Sequence, residues 1–267
     1  MARLQVDGIK SIYYEDLGGV GRPIILIHGW GMDNRIWDGI ILRLQEAGHR
    51  VVTFDHRGCG RSDHDFVDLS ISAIAEDVVK LVDHLGVNEV VVNGWSLGGA
   101  VATHSASLLG SRCCGLVLTA GASPIYTQKP DLPIGGLPED VDANVVAMNE
   151  DRVNFLAGLA TAICAKPTTD VVLEWMANAF IQSSARASAT LGELAHLDQR
   201  EIMMALDIPI LSIICGQDGF VSPDISRWVA ENHPRASGVE FPESGHAPFI
   251  EEREGYISAL NDFISNL

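Results

Sequence analysis

The chain has 267 residues, 47% of them hydrophobic and 20% charged, with 18 Lys and Arg against 35 Asp and Glu for a net charge of −17. That is the composition of an ordinary folded domain, long enough to bury a core without staples, and it excludes a disordered, collagen-like or coiled-coil chain. So acidic a chain repels phosphate backbones and anionic lipid, which argues against nucleic acid or a membrane as partner.

In chain order, the opening stretch MARLQVDGIKSIYYEDLGG lacks the apolar core of a signal peptide, and no run approaches the roughly 18 apolar residues of a membrane span; the cytoplasm is the expected location. Four short apolar runs bounded by Gly, Asp or Asn follow, at 24–27, 51–54, 90–92 and 116–118. They read as strands buried on both faces, as in a parallel sheet. Between them the spacing predicts helices over 34–47 and 97–109. A third is marked by Ile74, Val78, Leu81, Val82 and Leu85, with Ser70 or Ser72 as N-cap and Gly86 as its stop. From about 124 the rhythm changes. A Pro- and Gly-rich entry leads into helical stretches around 140–164 and 168–186 with no β-branched runs. Ile208–Cys215 then reads as a strand, Pro223–Asn232 as a helix, Gly238–Phe241 as a strand and Ile250–Leu267 as a closing helix. Strands alternating with helices predict an α/β fold, a mostly parallel central sheet flanked by helices. Residues 1–123 and 201–267 form the expected core, and 124–200 a helical cap inserted after the sixth strand. The cysteines Cys59, Cys113, Cys114, Cys164 and Cys215 show neither a disulfide framework nor a zinc pattern, so reduced thiols and no metal are expected.

The segment Gly94-Trp95-Ser96-Leu97-Gly98-Gly99 follows a predicted strand and opens a predicted helix. A tight turn there exposes Ser96, small residues on either side avoid clashes, and the helix N-terminus favours negative charge. A serine hydroxyl needs a base. His246 lies in a loop after the last predicted strand, bracketed by Gly245 and Pro248. The base needs an orienting acid. Asp218 follows the strand ending at Cys215, at the end of the sheet where such sites form, whereas Asp207 lies at the opposite end. The loop after Thr119, another possible home for the acid, holds no carboxylate. The glycines of His28-Gly29-Trp30-Gly31 let the backbone turn an N–H toward the site, which gives Trp30 and Leu97 as oxyanion donors. The side chains of Trp30 and Trp95 shape a pocket or simply pack. Phe155, Leu159, Trp175, Met176 and Phe180 form apolar stripes in the cap. They pack it onto the sheet, and some of them, with Trp95, are candidates to line an acyl or alcohol pocket. His104 and His196 read as packing or surface residues.

The set HGWG, FDHRGCGRSD, GWSLGG, GQD and SGHAPF resembles the α/β-hydrolase superfamily with a cap domain, across nearly the whole chain outside 124–200. HGWG, GWSLGG and HAPF resemble the pimeloyl-carrier-protein methyl esterases, and DHRGCGRSD the cofactor-free haloperoxidases and related esterases. The resemblance implies a mainly structural role for residues 54–63, beside the oxyanion loop, and His28 is expected to fix that loop. It also implies a serine carboxylic ester hydrolase that needs no metal or organic cofactor. Carbon–carbon hydrolases, lactonases and perhydrolases keep the same serine triad and remain alternatives. A ligand-binding receptor on the same fold is a further one. Haloalkane dehalogenases and epoxide hydrolases carry an aspartate where this chain has Ser96, which excludes them. Residues 124–200 hold five Lys and Arg against ten Asp and Glu. Such a cap is a poor landing site for an acidic carrier protein, so a free small-molecule ester is the expected substrate. No feature fixes the oligomeric state.

Overall fold

The computed structural model describes residues 2–267. Eight strands form one sheet: β1 (Ala2–Asp7), β2 (Lys10–Asp16), β3 (Pro23–Ile27), β4 (Arg50–Phe54), β5 (Val90–Trp95), β6 (Cys113–Thr119), β7 (Ile210–Cys215) and β8 (Ala236–Phe241). Their order is β1-β2-β4-β3-β5-β6-β7-β8. From β4 to β8 every pairing is parallel, and the β1–β2 hairpin joins β4 antiparallel. Each residue of β3, β5 and β7 is buried, as continuous apolar runs between two layers of helices require. The hairpin lies outside the elements predicted from the sequence. Its first strand alternates exposed positions with half-buried ones and the buried Val6, so it presents no apolar run.

The helices are α1 (Asp38–Glu46), α2 (Ile71–Leu85), α3 (Leu97–Leu109), α4 (Pro138–Glu150), α5 (Arg152–Ala162), α6 (Asp170–Ile181), α7 (Ser188–Glu193), α8 (Arg200–Ala205), α9 (Pro223–Asn232), α10 (Pro248–Glu251) and α11 (Arg253–Ser265), with short 3-10 turns between some of them. The Ser70 hydroxyl caps α2 by accepting from the Ala73 N–H at 3.1 Å, and Gly86 ends it in the left-handed conformation. Asp77 of α2, fully buried, pairs with the buried Arg57 guanidinium at 2.5 and 2.8 Å, which anchors the loop after β4. The closing segment is two helices rather than one. The chain breaks at Glu252, where φ −130° and ψ 46° leave the helical region.

Between β6 and β7 the described chain forms helices and isolated bridges, but no strand of the sheet. The two ends of this segment are tied together. Ile125 bridges Asp198, and the Gln199 N–H donates to the Pro124 carbonyl at 2.7 Å. The buried Gln199 amide then donates to the Ala100 carbonyl of α3 at 2.9 Å, fixing the exit of the segment to the sheet's own helix layer. Among the described residues no helix is long and apolar enough to cross a membrane.

Candidate active site

Ser96 sits between β5 and α3 with φ 58° and ψ −127°. Among the described residues only Ser96 and Ala120 hold a positive φ without being glycine. The turn survives because three neighbours have no side chain. A Cβ on Gly94 would lie 2.1 Å from the Gly98 carbonyl oxygen, and one on Gly98 would lie 2.5 Å from the Ile27 and His28 carbonyl oxygens. A Cβ on Gly99 would lie 2.6 Å from the Gly121 Cα. The Ser96 backbone is held on both sides: its N–H donates to Thr119 at 3.1 Å, and its carbonyl accepts from Gly99 and Ala122 at 2.8 Å each. Leu97 opens α3, so its N–H lies in the first turn and has no partner within the helix.

His246 follows β8. Its Nδ1 lies 2.7 Å from Asp218 Oδ2, and both side chains are almost wholly buried. The other carboxylate oxygen of Asp218 accepts from the N–H groups of Phe220 and Val221 at 2.8 and 3.0 Å. With one oxygen occupied by the loop's own backbone, the carboxylate is aimed at the imidazole. This arrangement sets Nδ1 as the protonated nitrogen and leaves Nε2 as the acceptor. Trp95 and Phe220 flank the ring at 5.3 and 5.1 Å between centroids. The Trp95 indole N–H donates to the His246 carbonyl at 2.8 Å. The loop is further fixed by the His246 N–H, which donates to the Ile163 carbonyl at 2.8 Å. Among the described residues no hydrogen bond joins Ser96 to His246; such contacts often tighten only around substrate.

The loop after β3 completes the site. His28 is fully buried and stacked on His56 at 3.7 Å. Its Nε2 accepts from the His56 backbone N–H at 2.9 Å, so its Nδ1 carries the proton given to the Gly29 carbonyl at 2.7 Å. Burial pulls the His28 pKa down to about 4, which keeps the ring neutral. The Trp30 indole donates to the Ala187 carbonyl at 2.8 Å, joining this loop to the helical segment above it. Nearby Cys59 is buried, and burial, with Asp55 and Asp33 alongside, pushes its thiol pKa up, so it stays protonated.

Ser96, Leu97, Trp30, Trp95 and His246 share the wall of a cavity of about 90 Å³. Phe155, Leu159 and Phe180 of the helical segment complete it. Asp218 stands behind His246, outside the lining. Of the pocket candidates from the sequence, two lie elsewhere: Met176 is fully buried in the core, and Trp175 borders a separate depression with Arg35 and Gln182. For Trp175 the reason is angular. Phe180 follows Trp175 by five residues, roughly 140° around a helix, so the two cannot face the same side. Sequence reasoning did not single out Tyr126, Asn144, Ile163, Leu191, Leu194 and Phe220, which also line the cavity. Phe220 could have been found two residues beyond Asp218, but Tyr126 and Asn144 carry no local signal. Burial raises the Tyr126 phenol to about 12, so it remains a neutral donor. Apart from Ser96, Tyr126, Asn144 and His246 the lining side chains are apolar, and none is Lys or Arg. Among the described residues no group of three or more His, Cys, Asp or Glu is placed to hold a metal ion.

Comparison with known proteins agrees with this fold. The sequence model of the alpha/beta hydrolase family matches residues 24–259. The chain is 31% identical over 261 residues to a pimeloyl-[acyl-carrier protein] methyl ester esterase of Sodalis glossinidius, covering 95% of this chain and 97% of that one. It is 28% identical over 256 residues to the AB hydrolase superfamily protein YisY of Bacillus subtilis, covering 95% of each. Among solved structures, an esterase from Exiguobacterium antarcticum superposes with a TM-score of 0.92 at 27% identity over 96% of each chain.

Proposed function

The chain belongs to the alpha/beta hydrolase family, and on that premise we propose that it is a serine esterase acting on small, neutral esters through Ser96, His246 and Asp218. The observation that carries this reading is the buried His246–Asp218 pair at 2.7 Å, opening onto the same small cavity as a strained serine at a helix N-terminus. In this mechanism Ser96 Oγ attacks the ester carbonyl while His246 Nε2 takes its proton. The imidazolium is stabilised by Asp218 through Nδ1–H. The oxyanion accepts from the N–H groups of Trp30 and Leu97, and each such donor is worth about 3 kcal/mol or more in the transition state. The carbonyl re-forms as the C–O bond to the alcohol breaks, and the leaving alkoxide takes the proton held on His246. Water, deprotonated by His246, then attacks the acyl-enzyme, and Ser96 departs with that proton. None of these steps calls for a cofactor.

The lining supports the substrate class. It offers no cation to pair with a carboxylate or phosphate, and about 90 Å³ suits a short acyl group. Cyclic esters satisfy the same machinery, as do carbon–carbon and perhydrolysis substrates. The deciding experiment is turnover of p-nitrophenyl esters from acetate to decanoate by wild type and Ser96→Ala. The expected result is an optimum at short chains and a loss of about 10⁴-fold or more in kcat in the variant. Undiminished turnover in Ser96→Ala would overturn the mechanism. No turnover by wild type would shift the reading to lactones or ring-cleavage substrates.

A further inference from the structure

One carboxylate lies where the helical segment meets the loop that carries His246. Glu251, the last residue of α10, accepts through Oε1 from the N–H groups of Ala165 and Lys166, at 2.8 and 2.9 Å. Through Oε2 it accepts from the Gly245 N–H at 2.8 Å and the Ser244 hydroxyl at 3.3 Å. The first pair of donors belongs to the chain just after α5; the second belongs to the two residues before His246. The two stretches also touch directly. The His246 N–H donates to the Ile163 carbonyl at 2.8 Å, and a Cβ on Gly245 would lie 2.5 Å from the Ala165 nitrogen. The Ser244 carbonyl in turn accepts from Gln217 N–H at 2.9 Å, next to Asp218. Ile163 itself lines the cavity.

We propose that Glu251 is a positioning residue which locks the end of α5 to the histidine loop, so that one carboxylate sets both the cavity wall at Ile163 and the position of His246. The inference rests on the esterase reading for its kinetic consequence, though not for its structural one. An ionised carboxylate accepts about four hydrogen bonds and donates none, which matches the four donors that converge on it. A carboxamide cannot serve all four. Its oxygen can keep the Ala165 and Lys166 N–H groups, but its NH2 then faces the Gly245 N–H, donor against donor. The Ser244 hydroxyl can rotate to accept from it. Glutamine therefore preserves the attachment of α5 and weakens the hold on the His246 loop, while alanine releases both. A shift of the base by about 1 Å costs up to about 10²-fold in rate.

The test compares wild type, Glu251→Gln and Glu251→Ala. Three quantities are read: kcat and KM on a p-nitrophenyl ester, the far-downfield proton resonance of His246 Nδ1–H, and amide exchange at Ala165, Lys166 and Gly245. The expected result for Glu251→Ala is a loss of about 10-fold or more in kcat with a smaller change in KM. The downfield resonance moves or broadens, and exchange rises at all three amides. In Glu251→Gln the exchange rises at Gly245 while Ala165 and Lys166 stay protected, and kcat falls less. If Glu251→Ala does not fold, this asymmetry in Glu251→Gln carries the test. Wild-type kcat and an unmoved resonance in folded variants would overturn the proposal and leave Glu251 a helix-end residue. If wild type hydrolyses no ester, the esterase reading fails by itself, and the resonance and exchange still decide the role of Glu251.

Discussion

A serine with φ 58° and ψ −127° costs about 1–3 kcal/mol of backbone strain, which the surrounding packing must hold in place. The hold comes from main chain meeting main chain at Gly94, Gly98 and Gly99, where no side chain can move aside. Gly98→Ala is therefore expected to lose about 3 kcal/mol or more and most of the esterase activity, because its Cβ would meet two carbonyl oxygens at 2.5 Å. Gly158, exposed inside α5 with nothing within 4 Å of a Cβ, predicts the opposite. Gly158→Ala should add about 0.5–1 kcal/mol by restricting the unfolded chain. Thermal melts of the two variants check this, and matching melting temperatures would refute it. The same contrast explains what was legible at this scale. Ser96, Asp218 and His246 could be picked out because a strained turn and strand-end loops leave local marks such as Gly94, Gly98, Gly216 and Gly245. Tyr126 and Asn144 reach the cavity only through tertiary folding, so nothing adjacent to them in the chain announces it. Trp175 borders a different depression from Phe180, because a stripe of apolar residues on a helix does not say which of its edges meets the cavity.

At the scale of elements, the strands buried on both faces announced themselves as apolar runs, while the β1–β2 hairpin did not, since its first strand at the sheet's edge is half in water. The break at Glu252 was hidden because the apolar period of α11 runs on from Phe249 without a proline or glycine at the joint. The loops after β3 and β4 interlock through His28 and His56, and this pair makes stability depend on pH. Burial lowers the His28 pKa from 6.5 to about 4, and that of His56, also buried and beside His28, well below its ordinary value. Both imidazoles stay neutral in the fold and take up a proton on unfolding, so the stability they contribute above pH 6.5 is lost as the pH falls. Asp55 opposes them. Burial raises its carboxyl from 3.8 to about 6, so its contribution is present at low pH and is lost as the pH rises through 6. Between pH 6 and 5 two imidazoles against one carboxyl leave a net uptake of about one proton on unfolding. This cluster should therefore lower stability on acidification, an effect that the raised carboxyls of Asp33, Asp77 and Glu193 reduce and the lowered His104 adds to. Denaturant melts at pH 7, 6 and 5 measure it, and a stability that holds or rises toward pH 5 would show that these histidines do not dominate.

Over the whole molecule, charge selects between two kinds of ester. The net charge is −17, and residues 124–200, which roof the cavity, hold five cations against ten anions. Several of those cations are already engaged. Arg200 pairs with Asp131 and Asp198, Lys166 with Glu252, and Arg152 donates to the Ser183 carbonyl and hydroxyl. An acidic carrier protein approaching this face would meet like charge and few free partners, which slows encounter and disfavours docking. A small neutral ester feels none of this. The likeness to carrier-protein methyl ester esterases is one of sequence along nearly the whole chain, and we expect it to stop short of the carrier. With one acyl group presented as a simple methyl ester and on an acyl carrier protein, kcat/KM should be at least as high for the free ester. Raising the salt from about 0.05 to 0.5 M should leave the free ester unaffected and speed the carrier-bound one, because screening removes repulsion over a Debye length that shrinks below about 5 Å. A carrier-bound ester hydrolysed far faster than the free one, and slowed by salt, would mean that a local basic patch overrides the molecule's net field and that the carrier is the substrate.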